Sequence, residues 1–506
     1  MVTVDGGVDF PREDGRRPTS PTGRKVVADA VRRLDLALAA DIEAEPDWRH
    51  GYLEAYRRMT ELAIATPEAT QTICLEGLAS VHHRFVFATP AGDMPIAEAL
   101  AGGLAQARRG MPGLFTATIE GRHELAPHVL SVPYQGHRLA GGDLERRLDA
   151  WVAGGIVEPS FTDAIRAVMA HPDWLDLRDV TVVVLGAGAE MGPLVSLVRW
   201  GAHVVAVDLP GYPMWRRLID VARDSSGRMS VPVSHWLPER AGDDEIAAAA
   251  GADLRTATPD VLGWLASVDG PFLIGDYVYA DGAQHARASV AIDAMAVALL
   301  AQRSDVSLAY LATPTDVFPV PQEVVEASRR RYEQRTLLRR LSRLGTAGRL
   351  FEPNYPTTWT TREGLLIGLA DSLVPQQGPN YALAKRIQRW RALHERANGR
   401  LVSINVAPAT RTRSVVRNRA LAAAFAGGAR FGIEVFEPST SNTLMAAMLV
   451  HDLRNPAAVA SPATPLVHPL ELLWQGAAHG GLWRNAFAPR SVLGLAVVLG
   501  MVQPGA

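Results

Sequence analysis

The segment TVVVLGAGAEMGPLVSLVRWGAHVVAVD, Thr181 to Asp208, decides the reading of the fold. TVVVLG is a short, β-branched, fully apolar run of the kind that forms a buried parallel strand. A glycine loop follows, then Pro193 to Trp200 at helical spacing, then a second apolar run, HVVAVD. Together they make one strand-helix-strand unit of about thirty residues. Gly186 and Gly188 let the backbone turn tightly and approach a pyrophosphate, and Gly192 lets the helix pack on the sheet. Glu190 and Met191 complete the loop and join the glycines as candidate cofactor contacts. The helix N-terminus adds unpaired amides and the positive end of a dipole. Asp208 ends the second strand, where a carboxylate accepts both hydroxyls of an adenosine ribose and repels a 2′-phosphate. That favours NAD over NADP.

Further apolar runs predict strands at Phe272 to Gly275, Val306 to Ala312, Leu401 to Val406 and Phe431 to Phe436. Helical spacing at His285 to Gln302 and Asn380 to Ala397 alternates with them, which argues an α/β chain with a doubly wound parallel sheet. Upstream, residues 25–178 read as a helical region, with helices at Val26 to Ile42, Trp48 to Ala65, Leu144 to Val152 and Asp163 to Ala170. Residues 1–24 are polar and rich in Gly, Pro and charge, the composition of a disordered tail without a signal-peptide core. The Rossmann-like unit with its insertion spans 179–506.

The 506 residues are 48% hydrophobic with a formal charge of −2, an ordinary globular composition that gives no argument for nucleic acid. Cys74 is the single cysteine, so no intrachain disulfide and no cysteine-based metal cluster can form. A reducing, cytoplasmic home is the expectation. His82, His83, His123 and His128 are scattered and read as structural residues, so no metal site is expected. Ser491 to Val502, the longest uncharged stretch near the C-terminus, is too short to span a membrane and reads as core or as a contact in a homo-oligomer. His451, His468, His479 and the HGGLWR run suggest defined structure there without a mechanism.

Of the 51 basic residues only Lys25 and Lys385 are lysines. Where a chain writes arginine almost everywhere, a retained lysine points to a compact ammonium with a movable pKa. Lys385 stands four residues after Tyr381 in YALAK, so a helix places both on one face. There the ammonium is expected to lower the phenol pKa and make it a proton donor and acceptor near neutral pH. The bland alternative is a solvated helix lysine.

The glycine loop together with YALAK resembles the short-chain dehydrogenase/reductase family over residues 180–436. Against the family loop TGxxxGxG, Gly186 and Gly192 match, while Leu185 replaces the threonine and Glu190 the middle glycine. Tyr381 and Lys385 match the YxxxK pair. The run RLVSINVAPATRTRS resembles the stretch used beside the nicotinamide, with Ala409 where a Pro-Gly usually stands, and it contributes Val406 and Thr412 as candidate cofactor contacts. The resemblance implies an NAD(P)-dependent oxidoreductase in which Tyr381 exchanges a proton with the substrate oxygen and Lys385 binds the nicotinamide ribose. Thr313, in VSLAYLATPT, is the implied hydrogen-bond partner of the reacting oxygen, with Thr315 close behind. The family's helix asparagine has no match in HARASVAIDAMAVALLAQ, where Ser289 or Asp293 would have to substitute.

Between Thr313 and Tyr381 the family has only a short connection; here residues 314–378 form a large insertion, read as helical and able to act as a lid. Arg329 to Arg349 contains eight arginines and one acid, Glu333, in an amphipathic pattern. It reads either as a solvated helix face or as a docking site for an acyl-carrier protein, a phosphate-bearing thioester or a lipid surface. The helical region and insertion would enclose a larger, apolar small-molecule substrate. Two other classes stay open: an S-adenosylmethionine-dependent methyltransferase, which also uses a glycine loop and an acid closing the second strand, and a non-catalytic nucleotide-binding protein.

Overall fold

The computed structural model describes residues 6–111, 113–125, 129–417 and 419–502. Seven strands build the central sheet: β1 Phe115–Glu120, β2 Thr181–Leu185, β3 His203–Val207, β4 Arg228–Val233, β5 Phe272–Asp276, β6 Val306–Ala312 and β7 Val402–Val406. Their order is β7-β6-β5-β2-β3-β4-β1, and all are parallel except β1, which pairs antiparallel with β4. The helices that matter below are α1 Thr19–Arg32, α2 Pro67–Arg84, α3 Leu194–Arg199, α4 Gly282–Leu300, α5 Leu337–Gly345, α6 Pro379–Ala397, α7 Pro438–Arg454 and α8 Pro489–Val502.

Alternation along each strand explains why the central runs are apolar throughout. Val183, Leu185, Val205, Val207, Ile274 and Leu308 enter a core shared with α1, α2, α4 and α6. Val182, Val184, Val204, Ala206, Leu273 and Ala309 enter a second core with α3 and α7. The sheet is thus covered on both faces.

Several sequence expectations are corrected. Residues 7–24 are not a disordered tail: Gly7–Asp9 pairs with Val86–Thr89, and Phe10 is buried with its ring 4.7 Å from that of Phe85. Residues 1–5 and His128 lie outside the described residues. The helix expected over Val26 to Ile42 is two, because Asp35 caps a new helix, Leu36–Ala44, by accepting from the Leu38 amide at 2.8 Å. Residues 25–178 are not purely helical, since β1 joins the central sheet and burial of Ala117 and Ile119 gives it a strand alternation. Phe431 to Phe436 is no strand: Gly432 adopts φ +78° after a short 3-10 turn, and Phe436 makes only a single bridge to Thr410.

The insertion 314–378 is mixed rather than helical, with an antiparallel sheet of Val317–Pro321, Leu366–Asp371 and Thr358–Thr360. Its basic stretch forms two helices, Gln322–Glu333 and α5, with Gln334 to Thr336 between them. Asp316 ties the start of the insertion to α6 through buried ion pairs with Arg386 at 2.8 Å and Arg389 at 2.9 Å.

Candidate functional site

The C-terminal ends of β5 and β6 meet the first turns of α4 and α6 around a group of polar side chains. Pro379 starts α6 at a position that lacks an amide partner anyway, after Gly378 at φ +80°. Tyr381 and Lys385 then fall on adjacent turns of one helix face. Both are enclosed by protein, yet each keeps a strip in contact with solvent. At the end of β6, the Thr313 hydroxyl lies 2.9 Å from the Thr315 hydroxyl, and Thr313 is near enough to Tyr381 to lower the phenol's pKa. The structure therefore brings together the three residues singled out as catalytic, across the whole insertion.

The lysine does not do what the spacing predicts. Its Nζ donates to the Leu311 carbonyl at 3.3 Å and to Gln388 Oε1 at 3.0 Å, and the Gln388 amide donates to Asp276 Oδ2 at 2.8 Å. Burial pushes the Tyr381 phenol up, Tyr279 adds to the effect, and the nearby Thr313 hydroxyl only partly opposes it. In this arrangement the ammonium acts on Asp276 instead. Burial raises the Asp276 carboxyl to about 6, with Lys385 and the Gln388 bond working the other way. Lys385 is itself pulled down by burial, opposed by Asp276 and Asp316. Burial thus raises the acid and lowers the lysine, and one buried amide links the two.

Asp276, Gln388, His285 and Tyr279 were not singled out by sequence. The His285 ring centroid lies 5.1 Å from that of Tyr381, and Tyr279 lies 6.0 Å and 6.1 Å from the two. His285 is fully buried, and among the described residues neither its ring nitrogens nor the Ser289 hydroxyl one turn later has a partner at hydrogen-bond distance. The Val278 backbone lies close enough to favour the protonated ring slightly, but burial and the Lys385 charge hold His285 well below its ordinary range, so it is neutral near pH 7. Asp293, one of the two candidates to replace the missing asparagine, is engaged elsewhere: Arg391 donates to both its oxygens at 2.7 and 2.9 Å, and His82 lies at 2.7 Å. Burial would raise its pKa, but Arg391 and His82 together hold it well below the carboxylate range, as a structural ion pair. Only the position of a carboxylate at a strand end, or of Gln388 one turn beyond Lys385, was available in the sequence as a signal.

The glycine loop borders this group. Gly186 has φ +87°, and a Cβ there would sit 2.8 Å from Val278 Cα, so the loop after β2 lies directly against the segment joining Asp276 to Tyr279. Asp208 accepts from the Gly188 amide at 2.7 Å through Oδ2 and from the Leu209 amide at 2.7 Å through Oδ1. Each oxygen keeps a second lone pair. Burial raises this carboxyl, and the two amide bonds oppose the rise. Glu190 closes the other side: its carboxylate accepts from the Arg413 amide at 2.8 Å and from Arg413 Nε at 2.7 Å, next to Thr412. The loop after β7 is thereby clasped to the loop after β2. Met191 is half-buried beside it, and Val406 is packed in the core at the end of β7. α3 has only six residues, so its N-terminus offers a phosphate little of the helix dipole.

A wide surface hollow of about 750 Å³ is lined by Asp173, Trp174, Asp176, Arg178, Asp179 and Arg454. It lies before the start of β2, at the opposite end of the strand from the glycine loop, and is remote from this chemistry. Among the described residues no helix is long and apolar enough to cross a membrane, and no group of three or more His, Cys, Asp or Glu side chains is placed to hold a metal ion. Comparison with models of protein families, with curated proteins and with solved structures finds no match to this chain.

Proposed function

We propose that the chain is an NAD-dependent oxidoreductase of short-chain dehydrogenase/reductase type, on a doubly wound Rossmann-like sheet, interconverting an alcohol and a ketone on a larger apolar substrate. One observation carries the reading: Tyr381, with Lys385 one turn on and Thr313 near its phenol, stands at the strand ends beside the glycine loop. The parallel strands support it, since counted from β2 they follow the third-second-first-fourth-fifth-sixth order of dinucleotide-binding sheets. In such sheets the ligand crosses where the order reverses, here between β2 and β5.

The residues suit the adenosine end of NAD. Asp208 retains lone pairs for two ribose hydroxyls, and Gly186 leaves no side chain in the crevice. Bound NAD supplies or accepts the hydride. The chain holds the reacting oxygen between the Tyr381 and Thr313 hydroxyls, and Tyr381 gives or takes the proton. Lys385, Gln388 and Asp276 hold charge and protons behind that pair. His285, as a neutral buried imidazole, offers a donor and an acceptor next to the phenol.

Thermal-shift measurements with NADH, NADPH and S-adenosylmethionine test the cofactor. NADH is expected to raise the melting temperature most, and stabilisation by S-adenosylmethionine alone would overturn the reading in favour of a methyltransferase. Tyr381→Phe should lower turnover across a panel of ketones by about 100-fold or more while keeping the NADH shift. Undiminished turnover would sink the assignment of Tyr381. A second reading, a nucleotide-binding protein without turnover, is favoured by the raised phenol and by the engagement of Lys385 with Gln388. NADH binding with no ketone reduced would select it.

A further inference from the structure

We propose that α5 and its flanking arginines dock the protein on the surface of an anionic lipid bilayer, a role independent of the NAD reading. None of the nine residues of α5 is buried, and Leu337, Leu338, Leu341 and Leu344 are 70%, 74%, 55% and 76% exposed. At 3.6 residues per turn these four leucines occupy one side of the helix, and Arg339, Arg340 and Arg343 the other.

The arginine side is the one held down. The Arg339 guanidinium lies over the rings of Phe487, Phe431 and Phe351 at 5.4, 5.8 and 6.0 Å. Arg343 donates to the carbonyls of Gly348 and Phe351, and Arg340 to that of Glu333. Because the anchors are on that side, the leucines face outward. These arginines bond to carbonyls and aromatic faces, and among the described residues none of the three forms an ion pair with an acid, so their charge is uncompensated. The same small apolar cluster also receives Val492 and Leu495 of α8. Farther along α8, Val498, Met501 and Val502 are exposed, with no acidic residue from Ser491 to Val502.

An exposed leucine face backed by arginines, on a helix far too short to span, is the pattern of an element that lies in the headgroup layer. Each arginine near an anionic leaflet adds attraction that fades with distance and salt. Pairing of two copies through this face would instead set one arginine cluster against another, which like-charge repulsion disfavours.

The test is co-sedimentation of the full chain with vesicles of phosphatidylglycerol and phosphatidylcholine, against vesicles of phosphatidylcholine alone. Binding to the anionic vesicles is expected, roughly tenfold weaker to the neutral ones and weakened by high salt. Leu337→Ser, Leu341→Ser and Leu344→Ser combined should weaken binding roughly tenfold or more. Since these side chains are exposed, the melting temperature of the triple variant should be unchanged, which separates lost docking from lost folding. Equal vesicle binding by wild type and triple variant would overturn the proposal. So would the absence of vesicle binding together with a wild-type dimer that the same variant dissociates, or with capture of an acidic acyl-carrier protein by the leucine face.

Discussion

The carboxyl of Asp276 ends a strand in a place from which water is excluded, and its pKa rises from 3.8 to about 6 because burial outweighs the nearby Lys385 charge. A group that holds its proton more tightly in the folded state makes stability fall as pH rises, here between about pH 4 and pH 6. Asp276→Asn removes that ionisation. The variant should be more stable than wild type by about 2 to 3 kcal/mol above pH 6 and no different below pH 4, read from urea unfolding at several pH values. A loss of stability at neutral pH would show that attraction between Asp276 and Lys385 outweighs desolvation. Sequence marked Tyr381, Lys385 and Thr313, because hydroxyls and a rare lysine are visible as residue types. It left Asp276, Gln388 and His285 unmarked, because their roles come from burial and from what lies across the strand ends.

Between elements, close packing decides which glycines are required. Gly77, in the middle of α2, faces α6, and a Cβ there would sit 2.7 Å from a Trp390 ring carbon. Gly102, in the helix Ile96–Arg108, has nothing within 4 Å. Alanine gains about 1 kcal/mol of helix propensity at either site. At Gly77 the displaced indole costs about 1 to 3 kcal/mol. Gly77→Ala should therefore destabilise by roughly 1 kcal/mol and Gly102→Ala should stabilise by about as much in the same denaturation assay. Equal effects would show that the indole moves aside freely. The periodicity of β2, β3, β5, β6 and β7 was legible, since each is rich in apolar and β-branched residues, β7 as an alternation Val402-Ser403-Ile404-Asn405-Val406. β4 was missed: RMSVPV contains Pro232, which a sequence reading demotes. Its ladder with β3 stops at Ser230, and beyond that point it pairs with β1 and makes a single bridge from Val233 to Ala250. That edge pairing is a contact between distant segments and leaves no local trace.

At the scale of the molecule, Glu158 joins the N-terminal region to the HGGLWR segment. It accepts from His479 at 2.8 Å and from Arg484 at 2.9 and 2.6 Å, and all three side chains are largely or wholly withdrawn from solvent. Burial works to raise the Glu158 carboxyl, but the His479 and Arg484 bonds bring it down to about 2. Burial also pulls His479 below its ordinary value, so at pH 7 Arg484 supplies the positive charge. A depressed carboxylate stabilises the fold fully above its ordinary pKa, and that stabilisation is lost as pH falls from about 4.5 toward 2. Glu158→Gln should cost about 3 kcal/mol or more at pH 7, with a weaker acid dependence between pH 4.5 and 2, measured by thermal unfolding. An unchanged acid limb would remove Glu158 as its source. At the same scale, contacts cross the expected division into tail, helical region and sheet domain: Phe10 packs on Phe85, β1 pairs with β4, and Glu158 bonds His479 and Arg484.

The sequence by itself determined the parallel apolar strands, the glycine loop with Asp208, and the Tyr381–Lys385 spacing, because these depend on residue type and periodicities of two and 3.6. Tertiary structure alone decided the approach of Thr313 to Tyr381, the diversion of Lys385 toward Gln388 and Asp276, the clasp between Glu190 and Arg413, and the outward face of α5. Each of these depends on which groups lose their water and which distant partner replaces it. Desolvation and long-range packing are properties of the folded volume, and no local pattern encodes them.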